Sequence, residues 1–144
     1  MFVIIDNKMG NIHSVANALK RLDVKYKISS EIHIIKSANA IIFPGVGAFP
    51  MAMENLKRLS LDKIITEKLT ISNTPYLGIC LGMQILFNYS EEQIKTKGLS
   101  LLDGSVKKIK MKKGYEVPHV GWNKIKLSKK NPLFARIKEN SRIY

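Results

Sequence analysis

The sequence predicts an α/β fold, a mainly parallel sheet with helices on both faces and an antiparallel β extension. Three observations predict it. Up to Gly98, short apolar runs alternate with segments whose apolar residues recur at helical spacing. Turns rich in Gly and Pro close several of those runs, at Gly10 and at Pro44-Gly45 among others. After Gly98 the helical spacing stops, and shorter β-prone pieces follow, separated by Gly114, Pro118 and Gly121. Alternating strand and helix implies right-handed crossovers, and these make the strands parallel.

Each element has its own reason. Phe2 to Ile5 is an apolar run ended by Asp6 and a Gly10-containing turn, hence a strand. Asn11 to Leu22 carries Ile12, Val15, Ala16, Leu19 and Leu22 at helical spacing. Val24, Tyr26 and Ile28 alternate with Lys25 and Lys27, the pattern of a half-exposed strand. A connection follows whose apolar members are Ile32, Ile34 and Ile35, and then Ala40 to Phe43, a buried strand closed by Pro44-Gly45. Phe49 to Leu59 and Leu61 to Leu69 read as helices, and Pro75 to Ile79 as another buried strand running into Cys80. The helical pattern resumes with Leu81, Ile85 and Leu86. Ser105 to Met111 and Trp122 to Leu127 read as antiparallel strands at one sheet edge, with a bulge where Val106, Ile109 and Met111 break the period of two.

Length and composition exclude several classes. The 144 residues suit one domain, 1–144, rather than two, and no repeat, low-complexity tract or linker marks a boundary. A chain that is 45% hydrophobic and 24% charged has the composition of a soluble globular protein. Runs such as FVII and AIIF fall far below the roughly 18–20 residues of a membrane span, and MFVIID runs into an acid, unlike a signal peptide. A cytoplasmic location is expected. One cysteine excludes an internal disulfide and a cysteine-cluster zinc site, and it fits a reducing compartment. The net charge of +13 is lopsided, because residues 105–144 hold 12 Lys/Arg against 2 acids. That segment lacks the aromatic interleaving of a single-strand binder and any helix-turn-helix or zinc signature. It is therefore read as solvated surface, with no nucleic acid and no membrane as partner.

The chemistry concentrates at Gly78-Ile79-Cys80-Leu81-Gly82, where an apolar strand leads into Cys80 and a helical pattern leaves it. Gly-x-nucleophile-x-Gly marks a nucleophile elbow, a strained strand-to-helix turn in which the flanking positions must be small for the backbones to pass. The turn sets the sulfur at a helix N-terminus, which lowers a thiol's pKa, and leaves the Leu81 N–H free for an oxyanion. A lone cysteine is ordinarily a small buried apolar residue. The strand context and both glycines favour the nucleophile here. A second glycine-rich turn, Pro44-Gly45-Val46-Gly47, precedes a helix and is expected at the same carboxyl edge of the sheet, where open α/β sheets bind ligands. It lacks the third glycine and the later acid of a dinucleotide loop.

GICLGMQ at 78–84, PGVGAF at 44–49, SEE at 90–92 and PHVGWN at 118–123, in that order and spacing, resemble class I glutamine amidotransferases. Within them the chain is most similar to the glutaminase subunits of imidazole glycerol phosphate synthase. The resemblance runs from Met1 to Tyr144. It implies that Cys80 attacks the carboxamide of glutamine, giving a γ-glutamyl thioester and ammonia, with no cofactor and no metal. It implies an oxyanion hole from the Leu81 N–H and one donor of the turn, Val46 or Gly47. Gln84 and Glu92 match positions that hold the substrate. Asn11, Pro118, His119, Trp122 and Asn123 match the surface facing a cyclase subunit, a (β/α)8 barrel that receives the ammonia. Taken alone, Asn11 also reads as a helix N-cap and Trp122 as a buried aromatic.

Two departures qualify the match. The family's first turn reads Asp-Tyr-Gly-x-Gly-Asn, whereas here it is Asp6-Asn7-Lys8-Met9-Gly10-Asn11. The family's His and Glu of the triad lie in a C-terminal His-Pro-Glu segment without a counterpart among these residues. His13, His33 and His119 are the only histidines, the first two expected to be solvated and the third part of the interface motif. The expectation is a domain lacking its C-terminal part, with little or no glutaminase activity by itself. Two rival readings remain: a paralogous subunit supplying ammonia to a synthase that modifies a surface sugar, and a non-catalytic scaffold that binds the cyclase.

Overall fold

Residues FVII form β1, Phe2–Ile5, because both faces of this strand are covered: Val3 and Ile5 point to one layer of helices and Ile4 to the other. The computed structural model describes residues 1–110, 114, 117–128 and 131–144. These divide into two compact units, residues 1–108 and residues 109–144, each described by itself.

In the first unit four parallel strands lie in the order β2-β1-β3-β4, with β2 at Tyr26–Ser29, β3 at Ala40–Gly45 and β4 at Tyr76–Cys80. Helix α1, Ile12–Arg21, covers one face by packing Ala16 and Leu19 on Ile4 and Ile42. Helices α2 (Ile32–Lys36), α3 (Phe49–Arg58) and α4 (Leu61–Thr70) cover the other face, around Val3, Ile5, Ile41 and Phe43. The α/β class and the helices on both faces agree with the sequence reading. The buried Lys68 of α4 donates to the carbonyls of Lys36 and Ala38 at 3.0 and 2.9 Å, which satisfies groups left over at the end of α2.

Several elements differ from expectation. β2 starts two residues late because the Val24 N–H bonds back to Leu19 at 3.0 Å, so Val24 belongs to the exit turn of α1. β4 is not buried throughout: Leu77 and Ile79 are 52% and 39% exposed, because β4 is the last strand of the sheet. They line an apolar groove with Val15, Ala18 and Leu22 of the α1 region. The helix after Cys80, α5, spans only Leu81–Gln84. It stops there because the Leu86 carbonyl takes the N–H groups of Leu101 and Leu102, which turns the chain into β5, Phe87–Ser90.

The β extension is a mixed three-stranded sheet, β6-β5-β7, with β6 at Thr96–Lys97 and β7 at Leu102–Val106. β6 is antiparallel to β5, but β7 is parallel to it, with a register shift between Phe87 and Tyr89. The expected strand at Ser105–Met111 is thus replaced by one that begins three residues earlier, and Met111 lies outside the described residues. In residues 109–144, β8 (Asn123–Lys124) pairs antiparallel with β9 (Arg142–Ile143) as a separate two-stranded sheet. Among the described residues no helix is long and apolar enough to cross a membrane.

Candidate active site

Parallel pairing of β3 with β4 sets Gly45 opposite Cys80, so the glycine-rich turn and the cysteine leave the sheet side by side at its carboxyl edge. Cys80 adopts φ 53° and ψ −113°, a strained conformation for a residue with a Cβ. Its flanking glycines are required by contact. A Cβ on Gly78 would stand 2.5 Å from the Gly82 carbonyl oxygen, and one on Gly82 would collide with the carbonyl of Phe43. Gly45 is also confined, since its Cβ would lie 3.0 Å from that of Leu81. The elbow therefore closes by backbone-to-backbone packing between β3, β4 and α5. Cys80 itself is exposed.

Gly47 holds φ 104°, and Met9 of the β1–α1 loop rests against it, 2.9 Å from where a Cβ would be. That loop is built by two successive side-chain turns, with the Asp6 carboxylate accepting from the Lys8 N–H and the Asn7 carbonyl oxygen from the Met9 N–H, at 2.9 and 3.0 Å. Lys8 stands at φ 62°, which explains glycine at this position of the related turn. Here a Lys8–Asp6 ion pair at 2.7 Å holds the left-handed residue in place. Burial pushes the Asp6 carboxyl up, but the hydrogen bonds and charge of Lys8 outweigh it and hold the group below its usual range.

A cavity of about 540 Å³ opens beside the thiol, lined by Cys80, Gly47, Gln84, Glu92, Glu91 and Lys107 among others. A larger groove, about 710 Å³, lies over α3, α4 and β6, away from Cys80. Of the expected residues, Cys80, Gly47, Gln84 and Glu92 come together here, while Val46 is exposed outside the lining. Leu81 is the first residue of α5, so its N–H is among those a helix leaves without an intrahelical acceptor. Glu92 carries a task that sequence reasoning missed: its carboxylate accepts the Phe49 N–H at 2.9 Å and caps α3, whose N-cap residue Ala48 offers no side-chain acceptor. Glu91 and Lys107 were also unforeseen. They pair at 3.3 Å, and the Glu91 carboxylate holds the Lys107 ammonium above its usual range. Spacing could not reveal them, because they meet only through the β5–β7 pairing.

The remaining expected residues lie elsewhere. Asn11 caps α1, its side-chain oxygen accepting from the Ser14 N–H at 3.2 Å, as one of its two readings required. His13 and His33 are exposed, as expected. In residues 109–144, His119 meets Asn123 at 2.8 Å, and Asn123 also donates to the Gly121 carbonyl. Pro118 follows Val117 through a cis peptide. Trp122 is not a buried aromatic: it is 68% exposed, edge-on to Tyr144, because among the described residues of its unit no second layer packs on the two-stranded β8–β9 sheet.

A strained cysteine between two obligatory glycines, beside a second glycine turn on a parallel sheet, has the strand-turn-helix geometry of an elbow in an α/β fold. The chain belongs to the class-I glutamine amidotransferase family, whose model matches residues 3–144. Within it, the chain is 44% identical over 143 residues to the imidazole glycerol phosphate synthase subunit HisH 2 of Vibrio vulnificus, covering 99% of this chain and 67% of that protein. HisH 2 of Methanococcus maripaludis is 42% identical, at 100% and 71% coverage, and HisH of Listeria innocua 44%, at 95% and 65%. The chain thus spans about two thirds of the length of these curated relatives. A crystal structure of glutamine amidotransferase shares the fold, with a TM-score of 0.63 at 19% identity, over 74% of this chain and 56% of that one.

Proposed function

We propose that the chain supplies the glutaminase chemistry of imidazole glycerol phosphate synthase. The observation that carries this reading is the exposed Cys80, held strained at the mouth of a cavity that also contains Gly47 and Gln84. The Cys80 thiolate attacks the carboxamide carbon of glutamine, and the carbonyl oxygen becomes an oxyanion met by the Leu81 N–H and a donor of the Val46–Gly47 turn. Collapse of the tetrahedral adduct breaks the carbon–nitrogen bond. The nitrogen takes a proton and leaves as ammonia, and a thioester remains. Water cleaves the thioester to glutamate and restores the thiol. Gln84 and Glu92 hold the polar ends of the substrate, Glu92 while still capping α3.

The relatives, subunits of imidazole glycerol phosphate synthase, favour a synthase partner. The ammonia then passes to a cyclase subunit with a (β/α)8 barrel, which forms imidazole glycerol phosphate and AICAR in histidine biosynthesis. The assembly is a cytoplasmic heterodimer with lyase activity, and Asn11, Pro118, His119, Trp122 and Asn123 belong to its interface. The exposed Trp122 suits such a role, since large aromatics anchor interfaces. Among the described residues lining the Cys80 cavity none is a histidine, so the 144-residue chain by itself turns glutamine over slowly or not at all.

Two measurements test the reading. A glutamine-analogue diazoketone should label Cys80 stoichiometrically, read by intact mass and by its loss in Cys80→Ala. Glutamate release should stay near background, with or without a cyclase subunit. An unlabelled Cys80 would remove the glutaminase assignment, and rapid turnover would remove the claim about the missing base.

A further inference from the structure

Tyr76 opens β4 four residues before the nucleophile, and its ring packs partly buried against the main core. Its hydroxyl donates to the Gly82 carbonyl at 2.7 Å. Burial pushes the phenol far above its usual range, so the hydroxyl remains a neutral donor. The Gly82 carbonyl needs such a donor. In a longer helix the residue four ahead, Leu86, would supply its N–H, but α5 is a single turn and that N–H goes to Met83 at 3.2 Å. Gly78 lies two residues along β4 from Tyr76, on the same face, and is bare because the Gly82 carbonyl sits over it.

We propose that Tyr76 is a positioning residue for the Cys80 nucleophile: its hydroxyl seats the Gly82 carbonyl over β4 and so holds the elbow in its strained form. Gly78 makes room for that carbonyl and Tyr76 fastens it. The Leu81 N–H and Cys80, one and two residues before Gly82, then keep a fixed relation to the cavity. The inference rests on the glutaminase reading, whose chemistry needs that relation.

The test compares wild type, Tyr76→Phe and a control, Lys68→Met, which removes buried hydrogen bonds on α4 instead. Hydrogen exchange is followed at the Ile85 and Leu86 amides, which bond within and just after α5. Alkylation of Cys80 is followed with 6-diazo-5-oxo-L-norleucine, whose diazo carbon takes a proton and releases dinitrogen as the carbon–sulfur bond forms, and with iodoacetamide. Tyr76→Phe should speed exchange at Ile85 and Leu86 about tenfold and slow diazoketone labelling about tenfold, while iodoacetamide, which asks only for an exposed thiol, changes less than about twofold. Lys68→Met should lower the melting temperature and leave both elbow readouts near wild type. Labelling by Tyr76→Phe within about twofold of wild type, or equal slowing by Lys68→Met, overturns the proposal. If wild type reacts with iodoacetamide but not with the diazoketone, the glutaminase reading fails instead. Exchange at Ile85 and Leu86 then decides alone: tenfold speeding upholds Tyr76 as the brace of the elbow, and unchanged exchange overturns it.

Discussion

The Glu92 carboxylate accepts the Phe49 N–H at 2.9 Å, across 43 residues of chain, and closes the N-terminus of α3 next to the Gly47 turn. A carboxylate in this place meets both the free N–H groups and the positive end of the helix. Glu92→Ala should therefore lower stability by about 1 kcal/mol in urea unfolding, whereas Glu92→Gln, which still offers an oxygen, should keep most of it. An unchanged urea midpoint in Glu92→Ala would show that this hydrogen bond adds nothing to stability.

Gly82 has no room for a methyl group, because the space is filled by the Phe43 carbonyl, which is backbone and cannot swing aside. Gly82→Ala should destabilise by about 3 kcal/mol or more and abolish labelling of Cys80. Gly114→Ala is the control, since a Cβ there meets none of the described residues within 4 Å and the positive φ of 87° is the strain observed. Its loss should stay near 1 kcal/mol, roughly the left-handed penalty.

Cys80 itself stands at a cost in stability. Replacing it with glycine removes the Cβ that resists φ 53°, so Cys80→Gly should melt higher than Cys80→Ala by about 1 kcal/mol equivalent, with both inert to the diazoketone. Equal melting of the two would show that the elbow is relaxed.

Lys8 is held at φ 62° by its pair with Asp6, so truncation and relief can be separated. Lys8→Ala loses the pair but keeps the strained backbone, and should destabilise; Lys8→Gly loses the pair and the strain together, and should melt above Lys8→Ala. The sign of the pH effect follows from the depressed Asp6 carboxyl. Its stabilisation is present above the ordinary aspartate value, about 3.9, and is lost as pH falls through the lower folded value. The gap between wild type and Lys8→Ala should close on acidification and persist at pH 7.

Much of the elbow was legible in the sequence because its demands are local. Gly78 and Gly82 flank the cysteine at the spacing where two backbones must pass, and an apolar strand precedes them. Asn11 was legible for the same reason, as an amide one position before a periodic helix. Parallel pairing also follows from strand and helix order, which placed Gly45 and Cys80 at one edge. Tertiary structure alone decided what depends on partners distant in the chain. Tyr76 reaches Gly82 only after α5 is cut to one turn by the pull of Leu101 and Leu102 on Leu86. Glu92 finds Phe49 at the start of α3, 43 residues back along the chain, and Glu91 finds Lys107 through a β5–β7 pairing that no period of apolar residues announces. Leu77 and Ile79 read as buried because apolarity records what a strand can bury, whereas its place at the last position of the sheet decides what it does bury.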